Sequence, residues 1–181
     1  LYLTATVVTK LDTNLPENAQ VTFILKDTRL VTNRYVDPLP FRRFIAYTER
    51  HPLANANAAA VLAGLLESLI NRIADVIERV GADIDSTSAV VFNRQNLPGG
   101  KHRRTQRDFR KLLERIGQSG ELISKARESL ASLARLLAFV QQSTITMPQD
   151  VRTRLRTLSK DVFAMSDHAS FLSNNLNFLL D

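Results

Sequence analysis

The sequence predicts an α+β protein in which a small β-sheet region is followed by three long antiparallel helices. Three observations predict it. Period-two alternation of apolar residues is confined to the first third of the chain, and heptad spacing runs through the rest. Two breaks, one rich in Gly and Pro and one polar, cut the heptad region into three pieces.

The strands come first. Leu1, Leu3, Ala5 and Val7 alternate with Tyr2, Thr4 and Thr6, the pattern of a half-buried strand. Beyond a polar loop, Val21, Phe23 and Leu25 alternate with Gln20, Thr22 and Lys26. Lys26-Asp27-Thr28-Arg29 supplies a turn, and Leu30 to Tyr35 reads as the returning strand of a hairpin. Three strands with unfinished edges make a poor independent sheet, so further partners for them are expected. Asp37-Pro38-Leu39-Pro40 ends this region, with Pro40 placed for a first helical position. A short helix through Phe41, Phe44, Ile45 and Tyr47 then stops near His51-Pro52.

The heptads follow. Leu62, Leu66, Leu69, Ile73, Val76 and Val80 step by four and three. Phe109, Ile116, Ile123, Leu130 and Leu137 recur every seven residues, with Leu112, Ala126, Leu133 and Val140 at the offset positions and Ser119 as a polar intruder. The third seam runs Val151, Leu155, Leu158, Val162, Met165, Ala169, Leu172, Leu176, Leu179. Such seams predict coiled-coil-like antiparallel packing. Asn96 to Gly100 separates the first helix from the second, and Ser143 to Met147 the second from the third. Pro148 and Asp150 suit the start of the last helix. That helix spans roughly 50 Å at about 1.5 Å per residue. It reaches Asp181 without Gly, Pro or cap, so it is expected to continue.

Composition excludes several kinds of chemistry. With no cysteine, disulfides, thiol nucleophiles and Cys-ligated metals are ruled out. No Gly-rich phosphate loop, His-x-x-x-His pair or G-x-S-x-G elbow occurs, and the three histidines, His51, His102 and His168, are scattered. No enzyme activity and no organic cofactor are expected. The net charge of +6 is concentrated in one tract, where Lys101, Arg103, Arg104, Arg107, Arg110, Lys111 and Arg115 face only Asp108 and Glu114. The tract reads as a solvated hairpin tip, as a nucleic-acid contact, or as a contact with lipid phosphates. Nucleic acid lacks stacking aromatics here, since Phe109 occupies a core heptad position, and is not expected as a partner.

The last helix, from Asp161-Val162-Phe163-Ala164-Met165 to Asn177-Phe178-Leu179-Leu180-Asp181, resembles the stalk of the CorA family of divalent metal transporters, which includes a ZntB-like branch. Leu65 to Glu78 followed by Asp83-Ile84-Asp85, and Thr22-Phe23-Ile24-Leu25 with Arg29 to Thr32, resemble the same family in the same order. The resemblance implies an α/β/α sandwich like the family's soluble domain. Residues 1–54 would belong to its sheet region, 55–147 to a long helical hairpin, and 148–181 to a stalk helix leading to an absent first transmembrane helix. It also implies a homopentamer in the full-length protein, with the fragment itself monomeric or weakly associated. The location implied is an inner or plasma membrane, with this fragment on the cytoplasmic side. The ion would be magnesium, with zinc, cobalt or nickel as alternatives, and metal-linked gating would run through the stalk.

Family members place regulatory acids on the stalk and near the short helix, where this sequence has Thr157 and Phe41-Arg42-Arg43. Asp161, one turn after Thr157, and Asp37, just before the short helix, are the candidate metal ligands, because hard cations take carboxylate oxygens. Asp181 matches an acidic position near the pore mouth, where a ring of carboxylates attracts cations. The rival reading is a soluble coiled-coil adaptor with no membrane role.

Overall fold

The computed structural model describes residues 1–11, 16–51, 57–92 and 106–180. Its elements are strands β1 (Tyr2–Thr9), β2 (Glu17–Lys26) and β3 (Arg29–Arg34), then helices α1 (Leu39–Arg50), α2 (Ala58–Phe92), α3 (Gln106–Gln142) and α4 (Gln149–Leu180). The expected order of small sheet, short helix and three long helices is what folds.

The strands form one antiparallel sheet in the order β1-β2-β3, with Ala5 opposite Val21 and Phe23 opposite Thr32. Lys26 pairs with Arg29 across a two-residue turn, whose first residue, Asp27, has φ 51°. A short polar side chain tolerates that left-handed backbone, which matches the twist of the flanking strands. The alternation seen in the sequence decides the faces. Leu3, Ala5, Val7, Val21, Phe23 and Leu25 point into the core, whereas Tyr2 and Val31 stand 75% and 53% exposed on the other side. Among the described residues, the helices cover only the inner face.

Helix α2 begins where the side chain of Asn57 accepts the amide of Ala60 (2.9 Å), satisfying one of the free N–H groups of its first turn. Its stripe from Leu62 through Leu66, Leu69, Ile73, Val76 and Val80 to Ile84 is buried throughout. Helix α3 returns antiparallel, and α4 runs parallel to α2. Two contacts fix that direction: Arg154 meets Glu67 near the start of both helices, and Leu172 packs against Gly81 further along. Sheet, α2, α3 and α4 share one core. Phe109 departs from expectation, being 53% exposed. On α3 the described seam is buried only from Ile116, and among the described side chains of α2 the last buried one is Thr87.

Helix α3 also meets the β1 edge of the sheet. On β1 the N–H and C=O of Thr6 point away from β2. The Thr6 amide donates to Ser132 Oγ and the Thr6 carbonyl accepts from Ser129 Oγ, both at 2.9 Å. Both serines are buried. Asn18 Nδ2 donates to Glu128 Oε2 (2.6 Å) one turn away. A strand edge left bare invites pairing with another chain, and two hydroxyls on a helix remove one such point.

Candidate cation-responsive site

The candidate acids lie on different elements. Asp37 sits in the turn between β3 and α1, where its Oδ1 is 3.1 Å from Arg34 Nη2 and its Oδ2 is 3.4 Å from Arg42 Nε. The same Arg34 guanidinium lies 4.5 Å over the ring of Phe41, which stacks on Phe23 at 6.1 Å. Asp37 is thus the anionic centre of a small cluster that fastens α1 to the sheet. Asp161 is exposed on α4, on the flank next to the buried Leu158 and Val162. No interaction brings Asp37 and Asp161 together among the described residues. Nor do the described residues contain a group of three or more His, Cys, Asp or Glu able to hold a metal ion. Asp181 lies outside the described residues, as do Lys101, Arg103 and Arg104 of the basic tract. Arg107 is placed by its backbone alone, on the first turn of α3, and Arg110 and Lys111 follow it as exposed residues.

The bundle geometry relates the tract to α4. Arg115 Nη2 is 3.5 Å from Asp83 Oδ1, and Gly81 meets Leu172. Arg110 and Lys111 therefore belong to the end of the bundle toward which α4 runs. The opposite end is tied by the ion pair of Glu67 on α2 with Arg154 on α4. Nε of Arg154 is 2.9 Å from Glu67 Oε2, and Nη2 shares that oxygen. Sequence spacing could not announce this pair, because its members are separated by most of the helical hairpin.

A second feature was legible in principle. Phe163, Phe171 and Phe178 are 62%, 59% and 69% exposed. Their spacing of eight and seven keeps them on one side of α4, opposite the seam of Val151, Leu155, Leu158, Val162, Ala169, Leu172 and Leu176. Helix α4 thus carries two apolar stripes, one facing α2 and α3 and one facing outward. None of the helices described is long and apolar enough to cross a membrane.

Comparison with known families settles the descent of this arrangement. The model of the CorA-like Mg2+ transporter proteins matches residues 2–181. The chain belongs to that family. The magnesium transport protein CorA of Haemophilus influenzae is 29% identical over 167 residues, which are 92% of this chain and 50% of that protein. CorA of Mannheimia succiniciproducens is 30% identical over 162 residues, covering 90% and 48%. The chain therefore spans about half the length of these relatives. Among solved structures, the complete CorA magnesium transporter of Methanocaldococcus jannaschii superposes with a TM-score of 0.78 at 11% identity, over 99% of this chain and 53% of that one. The ZntB cytoplasmic domain of Vibrio parahaemolyticus gives 0.75 at 8% identity, over 99% and 66%. At such identities these likenesses concern the fold, and it is the fold of CorA-type soluble domains.

Proposed function

We propose that this chain is the cytoplasmic regulatory and scaffold part of a divalent cation channel or transporter of the CorA type. Magnesium is the ion proposed, with zinc, cobalt and nickel as alternatives. The observation that carries the reading is α4: a 32-residue unbroken helix, bound to its own chain along one stripe and presenting a second aromatic stripe outward. A long exposed row of phenylalanines is costly in water unless another surface covers it. Assembly of several copies, a homopentamer in the full-length protein, supplies that surface, while the fragment alone stays monomeric or weakly associated. In this reading α4 is the lever between subunit contacts and a pore in an inner or plasma membrane, with the present residues on the cytoplasmic side. Bound cation would shift the population between closed and open arrangements.

The metal ligands proposed are Asp161 and Asp37, completed by oxygen donors from a neighbouring copy, with Asp181 near the pore mouth and the tract from Lys101 to Lys111 near the lipid phosphates. No residue is assigned a catalytic role. The test is divalent cation influx into liposomes carrying the full-length protein. Magnesium entry is expected, with Asp161→Asn raising the internal cation level needed to slow it. Absence of influx for all four cations overturns the transport reading and favours the soluble adaptor, in which the aromatic row of α4 takes a partner helix.

A further inference from the structure

The transport reading makes no use of the cavity between α1 and α2. Between α1 and α2 runs a groove of about 550 Å3, reached also by the first turns of α4. Three elements each bring a guanidinium to it: Arg43 from α1, Arg72 from α2 and Arg154 from α4. Only Glu67 and Asp75 oppose them, and Glu67 is already engaged by Arg154. Arg43 is exposed and has no ion-pair or hydrogen-bond partner among the described residues. The first turns of α1 and α2 contain no acid. Phe44 and Tyr47 form the apolar wall on the α1 side.

We propose that this groove binds a phosphate group. The planar guanidinium offers paired N–H donors that match phosphate oxygens, and the three around this space outnumber its two carboxylates. The space is far larger than phosphate alone needs and lies in the range of small-molecule clefts, roughly 300–1,000 Å3. A nucleoside phosphate fits it, with the phosphate toward Arg43 and Arg154 and the base against Phe44 and the exposed ring of Tyr47. Because Arg154 is shared between the ligand and Glu67, occupancy competes with the tie that holds the start of α4 to α2. That consequence for gating rests on the transport reading; the binding does not.

The experiment is titration of the 181-residue chain in metal-free, chelator-containing buffer, followed by calorimetry and 31P NMR, with adenosine monophosphate, inorganic phosphate and adenosine as probes. Saturable binding of the nucleotide and of phosphate is expected, with none for adenosine. Arg43→Gln should weaken both by about tenfold or more, the loss of one charged hydrogen-bond donor. Tyr47→Ala should weaken the nucleotide alone; if it leaves both unchanged, the phosphate site stands and its ligand is free phosphate. Arg127→Gln, exposed on α3 and outside both the groove and the basic tract, should change nothing. Failure of both phosphates to saturate at millimolar concentration overturns the proposal, and so does an equal loss in Arg127→Gln, which would mean that net charge alone is at work. Cation influx by the full-length protein is read separately: influx without phosphate binding removes the groove and keeps the transporter, and binding without influx does the reverse.

Discussion

Replacing Gly64 by alanine tests how α1 is seated. A Cβ at Gly64 would run into Cε2 of Phe44 and stand 2.8 Å from its Cζ, closer than real carbon contacts come. Two effects oppose each other. Alanine in the interior of a helix is favoured over glycine by about 1 kcal/mol. Overpacking costs typically about 1–3 kcal/mol, and Phe44 is only half-buried, so the lower half of that range applies. Gly64→Ala is therefore expected to be neutral to about 1 kcal/mol destabilising. In a chain of this size that is a fall in Tm of about 2–4 °C at most. The decisive comparison is a double-mutant cycle read by thermal and urea unfolding. In a Phe44→Ala background the clash is gone, and Gly64→Ala should now stabilise by about 1 kcal/mol. The reversal of sign is the prediction. Equal stabilisation in both backgrounds would refute the claim that the missing side chain at residue 64 is what lets α1 lie so close to α2.

Two further perturbations address the ties between layers. Removing the hydroxyls by Ser129→Ala with Ser132→Ala leaves the edge amide and carbonyl of Thr6 without partners, at a cost of about 1–3 kcal/mol for each buried group left unsatisfied; hydrogen exchange should accelerate at the Thr6 amide well before global unfolding, and unchanged protection there would disprove the contact of α3 with that edge. The ion pair of Glu67 with Arg154 is about two-fifths exposed on each side, so a double-mutant cycle with Glu67→Gln and Arg154→Gln should give a coupling of no more than about 1 kcal/mol, decreasing with salt. A coupling that ignores salt would contradict the half-exposed geometry.

Much of this fold could be read from the chain because its dominant signals are periodic. Strand alternation fixed which of Leu3, Ala5, Val21 and Phe23 face inward, and the seam from Val151 to Leu176 fixed the inner side of α4. Period says nothing, however, about which elements lie across a gap. The pairing of Glu67 with Arg154, the hydroxyl contacts from α3 to Thr6 and the stacking of Phe41 on Phe23 depend on where helices return, and no local pattern encodes that return. Phe109 illustrates the opposite failure. It obeys the heptad of α3, but a heptad is buried only where a partner's apolar face lies alongside it, and among the described side chains of α2 the last buried one is Thr87. The outward row Phe163, Phe171 and Phe178 was visible as spacing; what made it easy to miss is that the stronger inner seam satisfies the expectation of one apolar face per helix.

The surroundings of Asp37 constrain how a cation could act in a protein of this kind. Its two oxygens face Arg34 and Arg42, so an arriving divalent ion must displace guanidinium groups before it gains a ligand. Both pairs are partly exposed, and such pairs are each worth about 0–1 kcal/mol, so displacement is cheap compared with a well-formed oxygen cage. A single carboxylate cannot supply that cage. The remaining oxygens have to come from elsewhere, and in the proposed assembly a neighbouring copy is the source. A cation held in this way would release Arg34 from Asp37 while gaining a contact between copies. Since Arg34 also lies over Phe41, the charge of the ion would be felt at the root of α1, the helix whose other side borders α2 and the start of α4. In that arrangement cation binding and the seating of α4 are coupled through α1, and no path through the sheet is required.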